Sequence, residues 1–198
     1  MPFIVAHRAG NDLERLRRAE RARVGLVEAD VHLFRGRLEV RHLKTLGPLG
    51  VLWDRWYLAP PGTPRLELHE LLAATDAPLM LDLKGGRRLG RRVAALLDGR
   101  PLTVCSRRWR ALEPFAALDG VRVVHSVGSR RQLRALRRRE RVEAISIHQR
   151  LLDRATVQDL RRRAQWIVSW PVATAEEAQR LARWGVDGVI TERFEELA

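Results

Sequence analysis

The sequence is poor in the residue types that would place it in a specialised class of protein. Cys105 is the only cysteine among 198 residues, so an internal disulfide is excluded, and this composition leads us to expect a cytoplasmic protein. No apolar run approaches the ~20 residues of a membrane-spanning helix, so we expect no membrane span. The first residues lack a basic segment followed by a long apolar one, and we expect no secretory signal. With 45% hydrophobic residues, the chain is predicted to fold as one globular domain over residues 1–198.

Lysine is almost as scarce as cysteine, although the chain is strongly basic. Lys44 and Lys84 are the only lysines, and 37 basic against 24 acidic residues give a net charge of +13. Most arginines lie in segments with helical spacing, such as "RLRRAERAR" and "RRQLRALRRRER", which we interpret as exposed helix faces. A nucleic-acid binder is the alternative, but the aromatic residues are not interleaved with basic ones, and we expect no specific nucleic-acid partner.

Eight short apolar segments have the composition of buried strands. Segments with helical spacing, such as "PRLELHELLAAT" and "TAEEAQRLARWG", separate most of them. In the second helix, Thr174 and Glu177 are predicted to form a capping box, and Gly185 is predicted to end the helix. The predicted strands are 3–7, 26–31, 79–84, 102–106, 122–126, 144–148, 166–170 and 188–192.

This alternation predicts a parallel sheet with helices outside, either a closed (β/α)8 TIM barrel or an open doubly wound sheet. Nearly every predicted strand ends in polar or functional residues, including His7, Asp30, Lys84, His125 and His148. All strand ends meet at one mouth in a barrel, whereas an open sheet gathers only those near its switch point. We therefore favour the barrel.

The segment after the second strand needs a separate explanation. Too few residues separate Asp30 from Leu38 for a parallel crossover, so residues 38–42 are predicted to pair antiparallel with strand two, with "RGR" as the turn. Residues 43–64 are rich in Gly, Pro and aromatics and are interpreted as an irregular excursion over the mouth. Within them, residues 53–62 could form a lid or a homodimer contact.

Two pairs of charged residues have the spacing that places side chains on one side of a strand. Glu28 and Asp30 form one pair, and Asp82 and Lys84 the other. Three carboxylates at one barrel mouth would repel one another unless a cation lay among them, and oxygen ligands suit Mg²⁺ or Ca²⁺. We therefore predict that Glu28, Asp30 and Asp82 bind a divalent metal.

Two histidines are expected to lie beside this metal site. Imidazoles such as those of His7 and His42 can act as base and acid in one reaction. Arg8 offers a guanidinium that matches phosphate oxygens, and Lys84 a compact positive charge. This set of groups is typical of phosphate-ester chemistry.

The order of these residues resembles the signature of the glycerophosphodiester phosphodiesterase family. That signature is His-Arg, then Glu-x-Asp, then His, and here it reads "HR", "EAD" and "H". "LDLK" resembles the family's Glu-x-Lys strand, and residues 146–192 resemble its C-terminal third. The resemblance extends over nearly the whole chain and implies a (β/α)8 barrel.

The resemblance also implies an activity, the hydrolysis of glycerophosphodiesters to glycerol 3-phosphate and an alcohol. It implies that His7 and His42 are the catalytic pair, with His7 as base and His42 as acid. Glu28, Asp30 and Asp82 would hold the metal, and Arg8 and Lys84 the phosphate.

Several positions depart from the family pattern. Ala9 replaces a Gly, Leu43 an Asp, Asp82 a Glu and Glu192 an Asp, and Asn11 is the only asparagine. Asp82 is one methylene shorter than the usual ligand, and the excursion after His42 is shorter than the family's insertion. The alternative function is therefore a weakly active or non-catalytic barrel that binds phosphorylated ligands.

Overall fold

The structure is a computed structural model that describes residues 1–46, 51–54, 57–59, 63, 65–97 and 99–198. Its strands are β1 Phe3–Ala6, β2 Leu26–Phe34, β3 Arg37–Val40, β4 Lys44–Leu46, β5 Val51–Asp54, β6 Tyr57–Leu58, β7 Leu66–Glu67, β8 Leu79–Leu83, β9 Leu102–Ser106, β10 Val121–Val127, β11 Val142–His148, β12 Ala164–Trp170 and β13 Gly188–Thr191. Its helices are α1 Leu13–Arg21, α2 Leu68–Ala74, α3 Arg87–Ala94, α4 Arg130–Arg137, α5 Arg154–Arg161, α6 Ala175–Trp184 and α7 Phe194–Leu197.

Eight of the strands form a closed parallel barrel. The order is β1, β2, β8, β9, β10, β11, β12 and β13, and β1 pairs in parallel with both β2 and β13. The closed barrel is confirmed, and the open sheet is excluded. Because all eight strands run the same way, their C-terminal ends meet at one mouth.

Apolar residues fill both sides of the barrel wall, which explains why the strands are nearly continuous apolar runs. A lumen cluster includes Val5, Met80 and Val168, while the opposite strand faces pack against the helices in a larger cluster. At the N-terminal end of the lumen, Phe3 lies against Trp166 with ring centroids 4.7 Å apart. A Cβ at Gly188 would lie 2.4 Å from the Phe3 ring, so this packing requires glycine there.

Helix α6 begins and ends where the sequence predicts. The Thr174 hydroxyl accepts a hydrogen bond from the Glu177 amide at 3.2 Å, and Gly185 ends the helix with φ of 100°. The Glu177 carboxylate closes the N-terminus by accepting from the amide of Ala173 at 2.8 Å, one residue before the expected position.

The crossover between β9 and β10 uses short 3-10 turns, Trp109–Ala111 and Glu113–Phe115. A Cβ at Gly90 of α3 would lie 2.0 Å from the carbonyl oxygen of Ala111, so the close packing of these two elements depends on this glycine.

The antiparallel extension after β2 is present as predicted. β3 pairs antiparallel with β2, with Phe34 opposite Arg37. The two turn residues, Arg35 and Gly36, have φ of 48° and 83°, as a two-residue hairpin turn of this hand requires. β7 then pairs with the outer edge of β3.

The interpretation of residues 43–64 as irregular is wrong for part of the segment. β4, β5 and β6 form a separate three-stranded antiparallel sheet, in which Lys44 lies opposite Trp53. Residues 47–50, 55–56, 60–62 and 64 lie outside the described part of the chain, so a lid or homodimer role for residues 53–62 stays a prediction. No helix in the described residues is long and apolar enough to cross a membrane.

Candidate active site

The site begins at the sharp turn that ends β1. Arg8 has φ of 56°, a left-handed conformation that is uncommon for residues other than glycine. The turn directs the Arg8 amide to the Glu28 carboxylate, which accepts its hydrogen bond at 2.6 Å. A bond to a buried carboxylate offsets the backbone strain and sets His7 and Arg8 at the barrel mouth.

The three carboxylates predicted to bind metal lie together at the ends of β2 and β8. Asp30 lies opposite Asp82 in the strand register, and Glu28 lies one pleat below Asp30 on the same side. Ligand atoms of Glu28, Asp30 and Asp82 all lie within 4.8 Å of one another. Asp82 therefore reaches the cluster although it is shorter than glutamate.

Asp30 is the most heavily bonded member of this cluster. The Lys84 ammonium lies 2.7 Å from its Oδ1 and also contacts Asp82. The side chain of Asn11 donates to Oδ2 of Asp30 at 2.9 Å, and its oxygen accepts from the Asp30 amide at 2.7 Å. The Nε of Arg8 is 3.8 Å from Oδ2.

The two histidines lie on either side of the carboxylates. His7 Nε2 is 4.0 Å from Glu28, and its Nδ1 is 3.3 Å from Glu192. His42 Nδ1 is 3.3 Å from Asp30, and its Nε2 is 3.3 Å from Asp54. The imidazole of His42 therefore lies between two carboxylates, with one beside each ring nitrogen.

The site holds its charges in different states. Burial, then the nearby Asp30 charge, raises the pKa of Glu28 well above its ordinary value. Burial alone would raise the pKa of Asp30, but hydrogen bonds from His42, Lys84 and Asn11 hold it below its ordinary value. Burial would lower the pKa of Lys84, but Asp82, Asp30 and Glu28 raise it.

The imidazole of His7 is neutral at pH 7. Its pKa is lowered to about 4, mainly by burial and secondly by the charge of Arg8.

The carboxylate oxygens of the cluster are suitable ligands for a divalent cation. Glu28 and Asp30 are almost fully buried, and Lys84 is the ammonium that contacts the cluster among the described residues. Glu28 therefore carries an uncompensated desolvation cost that a hard cation bound to carboxylate oxygens would remove.

Two acidic residues at the site were not predicted as members of it. Asp54 reaches His42 from the small antiparallel sheet, and no pattern in the sequence marks it. Glu192 contacts both His7 and Arg8, the latter at 3.4 Å, from the end of the last barrel strand. The position of Glu192 at a strand end was a signal for it, because all strand ends meet at the mouth.

One polar strand end does not contribute to the mouth. Val124 faces the lumen, so its neighbour His125 faces outward and lies edge-on to Trp109 at 5.4 Å. The expectation that His125 belongs to the mouth is therefore wrong, because successive side chains of a strand point to opposite faces.

Comparison with known proteins finds similar proteins by structure alone. No family model and no curated protein matches the sequence. A phosphodiesterase from Oleispira antarctica, solved with the product sn-glycerol-3-phosphate, superposes with a TM-score of 0.76 at 20% identity, covering 100% of this chain and 95% of the other. A glycerophosphodiester phosphodiesterase from Thermotoga maritima gives 0.77 at 21% identity, with coverages of 99% and 96%. One from Parabacteroides distasonis gives 0.72 at 20%, with coverages of 98% and 94%. These similarities establish a shared fold over the full length.

Proposed function

We propose that the protein is a member of the glycerophosphodiester phosphodiesterase family and hydrolyses glycerophosphodiesters to glycerol 3-phosphate and an alcohol. The observation that carries this proposal is the meeting of seven side chains at the C-terminal end of a barrel, where such enzymes have their active sites. They are His7, Arg8, Glu28, Asp30, His42, Asp82 and Lys84. One structural neighbour was solved with glycerol 3-phosphate, the product expected here.

Arg8 and Lys84 are the groups proposed to bind the phosphate. The Nε of Arg8 is buried and has no hydrogen-bond partner among the described residues. A buried donor without an acceptor is costly, and a phosphate oxygen would satisfy it. Lys84 adds a positive charge that is partly exposed at the mouth.

His7 is proposed as the base. Its ring is neutral at pH 7, its Nε2 faces the Glu28 side of the site, and its Nδ1 lies 3.3 Å from Glu192. Nε2 can accept the proton of the oxygen that attacks phosphorus.

His42 is proposed as the acid. It lies between Asp30 and Asp54 and would deliver a proton to the alkoxide when the phosphorus–oxygen bond to the alcohol breaks.

Glu28, Asp30 and Asp82 are proposed to hold Mg²⁺ or Ca²⁺. A bound divalent ion would supply Lewis-acid stabilisation of the charge on the phosphoryl oxygens. The carboxylates contribute the oxygen ligands and, through Glu28 and the Arg8 amide, tie the ion site to the turn that carries His7.

The test is the release of glycerol 3-phosphate from glycerophosphoglycerol by the purified protein, with Mg²⁺ or Ca²⁺ and with EDTA. We expect turnover only with metal, and a loss of about a hundredfold or more in kcat for His7→Ala and for His42→Ala. His69→Ala removes an exposed imidazole from α2 and is expected to leave kcat unchanged.

Two results would contradict the proposal. Turnover that persists in EDTA would remove the metal role, and wild-type activity in both variants would remove the histidine roles. Binding of glycerol 3-phosphate without any turnover would instead support the alternative, a barrel that binds phosphorylated ligands.

A further inference from the structure

A second group of side chains lies across the mouth from the carboxylates. In the ring of eight strands, β11 and β12 lie opposite β2 and β8. His148 ends β11, Trp170 ends β12, and their rings lie 4.7 Å apart. The guanidinium of Arg107, which follows β9, lies over the Trp170 ring at 4.6 Å. We call Arg107, His148, Arg150 and Trp170 the arginine wall.

The position of Arg107 depends on a glycine at the end of β10. A Cβ at Gly128 would lie 3.0 Å from Cζ of Arg107 and 3.1 Å from its Nε. Gly128 also accepts a hydrogen bond from Arg150 through its carbonyl oxygen at 3.1 Å. Because Gly128 has no side chain, the Arg107 guanidinium can extend from the end of β9 across the ends of β10 and β11 to Trp170 at the end of β12.

The wall carries positive charge that is not paired with a carboxylate in the described part of the chain. Arg107 and Arg150 are both exposed, and neither forms an ion pair with an acidic side chain of the described residues. Two acidic residues in the segments that follow β9 and β12 have other partners. Glu113 pairs with Arg87, and Glu177 accepts from a backbone amide. Burial, then Arg150 and Arg107, lowers the pKa of His148, which favours its neutral form.

The same contacts make the wall unsuitable for a cationic group. Tryptophan is the aromatic ring that best binds a quaternary ammonium. Here Arg107 already lies over the Trp170 ring, and its charge would repel a second cation. A carboxylate or phosphate oxygen could instead accept hydrogen bonds from the guanidinium fork.

We propose that the arginine wall selects the alcohol half of the substrate and that this alcohol carries an anionic group bound by Arg107. This inference rests on the proposed function, because it takes the carboxylate side of the mouth as the place where the phosphodiester is cleaved. Glycerophosphodiesters of choline would then be poor substrates.

The test compares three diesters whose leaving alcohols differ in charge. Bis(glycerophospho)glycerol releases an anionic alcohol, glycerophosphoglycerol a neutral one and glycerophosphocholine a cationic one. We expect kcat/KM to fall in that order, by about tenfold or more overall, since a hydrogen bond to a charged group is worth about that factor. Arg107→Ala should lower the anionic-to-cationic ratio about tenfold, and Arg107→Glu should reverse the preference.

Two further variants separate the position of this guanidinium from its charge. Gly128→Ala keeps every charge but displaces the guanidinium, and it should lower the ratio in the same direction as Arg107→Ala. Arg108→Ala removes the neighbouring exposed arginine and should leave the ratio unchanged. An unchanged ratio in Arg107→Ala, or an equal drop in Arg108→Ala, would overturn the inference.

A binding measurement distinguishes failure of this inference from failure of the proposed function. Calorimetric titration of the three diesters into the His7→Ala protein with Ca²⁺ needs no turnover. The inference is supported if the anionic diester binds more tightly than the other two and if its affinity falls about tenfold in the double variant His7→Ala/Arg107→Ala. This holds even if the wild type hydrolyses none of the three diesters. Equal affinities for all three diesters would overturn it.

Discussion

Replacement of Glu28 by glutamine tests whether the buried carboxylate cluster is a metal site. Glu28 is 3% exposed, and its carboxylate shares a small volume with those of Asp30 and Asp82. The backbone donor that it binds, the Arg8 amide at 2.6 Å, can bind the amide oxygen of glutamine equally well. Glu28→Gln therefore removes a charge and keeps the shape, so its effect reports the electrostatics of the cluster.

Two shifts in melting temperature are expected. Without metal, the variant should be more stable than the wild type by about 1–3 kcal/mol, because folding of the wild type must either protonate the buried Glu28 carboxyl or bury its charge. In the wild type, metal at 100 times its Kd should add about 2.7 kcal/mol. At about 2–4 °C per kcal/mol for a chain of this length, that corresponds to an increase of about 5–10 °C. Glu28→Gln should lose most of this increase.

Differential scanning fluorimetry with EDTA, Mg²⁺ and Ca²⁺ measures both shifts. Glu14→Gln removes an exposed carboxylate from α1 and should respond to metal as the wild type does. The reasoning is refuted if the metal-induced increase is the same in Glu28→Gln as in the wild type, or if millimolar metal leaves the wild type unchanged.

Three more predictions concern other parts of the molecule. Burial, then Arg139, lowers the pKa of His125 to about 4, so the unfolded chain binds more protons between about pH 4 and 6.5. The stability due to neutral His125 is complete above pH 6.5 and is lost toward pH 4. In urea denaturation, the stability lost between pH 6.5 and pH 4 should therefore be smaller in His125→Asn than in the wild type by about 1–2 kcal/mol, after allowance for partial exposure. Gly90→Ala should cost about 1–3 kcal/mol in the same assay, because its Cβ would meet the Ala111 carbonyl. Asp54→Asn should lower kcat about tenfold or more, because His42 loses the carboxylate that lies 3.3 Å from its Nε2.

Each of these predictions has an internal control. His69→Asn replaces an exposed histidine and should keep the wild-type pH slope. Gly86→Ser places a side chain where no atom lies within 4 Å, at the N-cap of α3, and should not destabilise the protein. Asp12→Asn keeps a capping oxygen outside the site and should leave kcat unchanged. The first argument is contradicted if His125→Asn loses as much stability between pH 6.5 and pH 4 as the wild type. The second is contradicted if Gly90→Ala is as stable as the wild type, and the third if Asp54→Asn keeps the wild-type kcat.

Local signals in the sequence determined the barrel, its hairpin extension and much of the candidate site. The strands are runs of β-branched and apolar residues because both faces of a barrel wall are buried. Strand period alone places Glu28 with Asp30 and Asp82 with Lys84, and parallel order brings the ends of β1, β2 and β8 to one mouth. The close approach of these side chains follows from those two rules.

Only the tertiary structure decided which distant groups touch the predicted ones. Asp54 contacts His42 because it lies in a small antiparallel sheet, which the sequence periodicity does not predict. Glu192 contacts His7 because β13 closes the barrel by pairing with β1. Arg107 lies over Trp170, 63 positions along the chain, because Gly128 leaves room between them. Periodicity specifies the face on which a side chain lies, but contact across a barrel depends on the register and closure of strands far apart in sequence, and these are set by packing of the whole molecule.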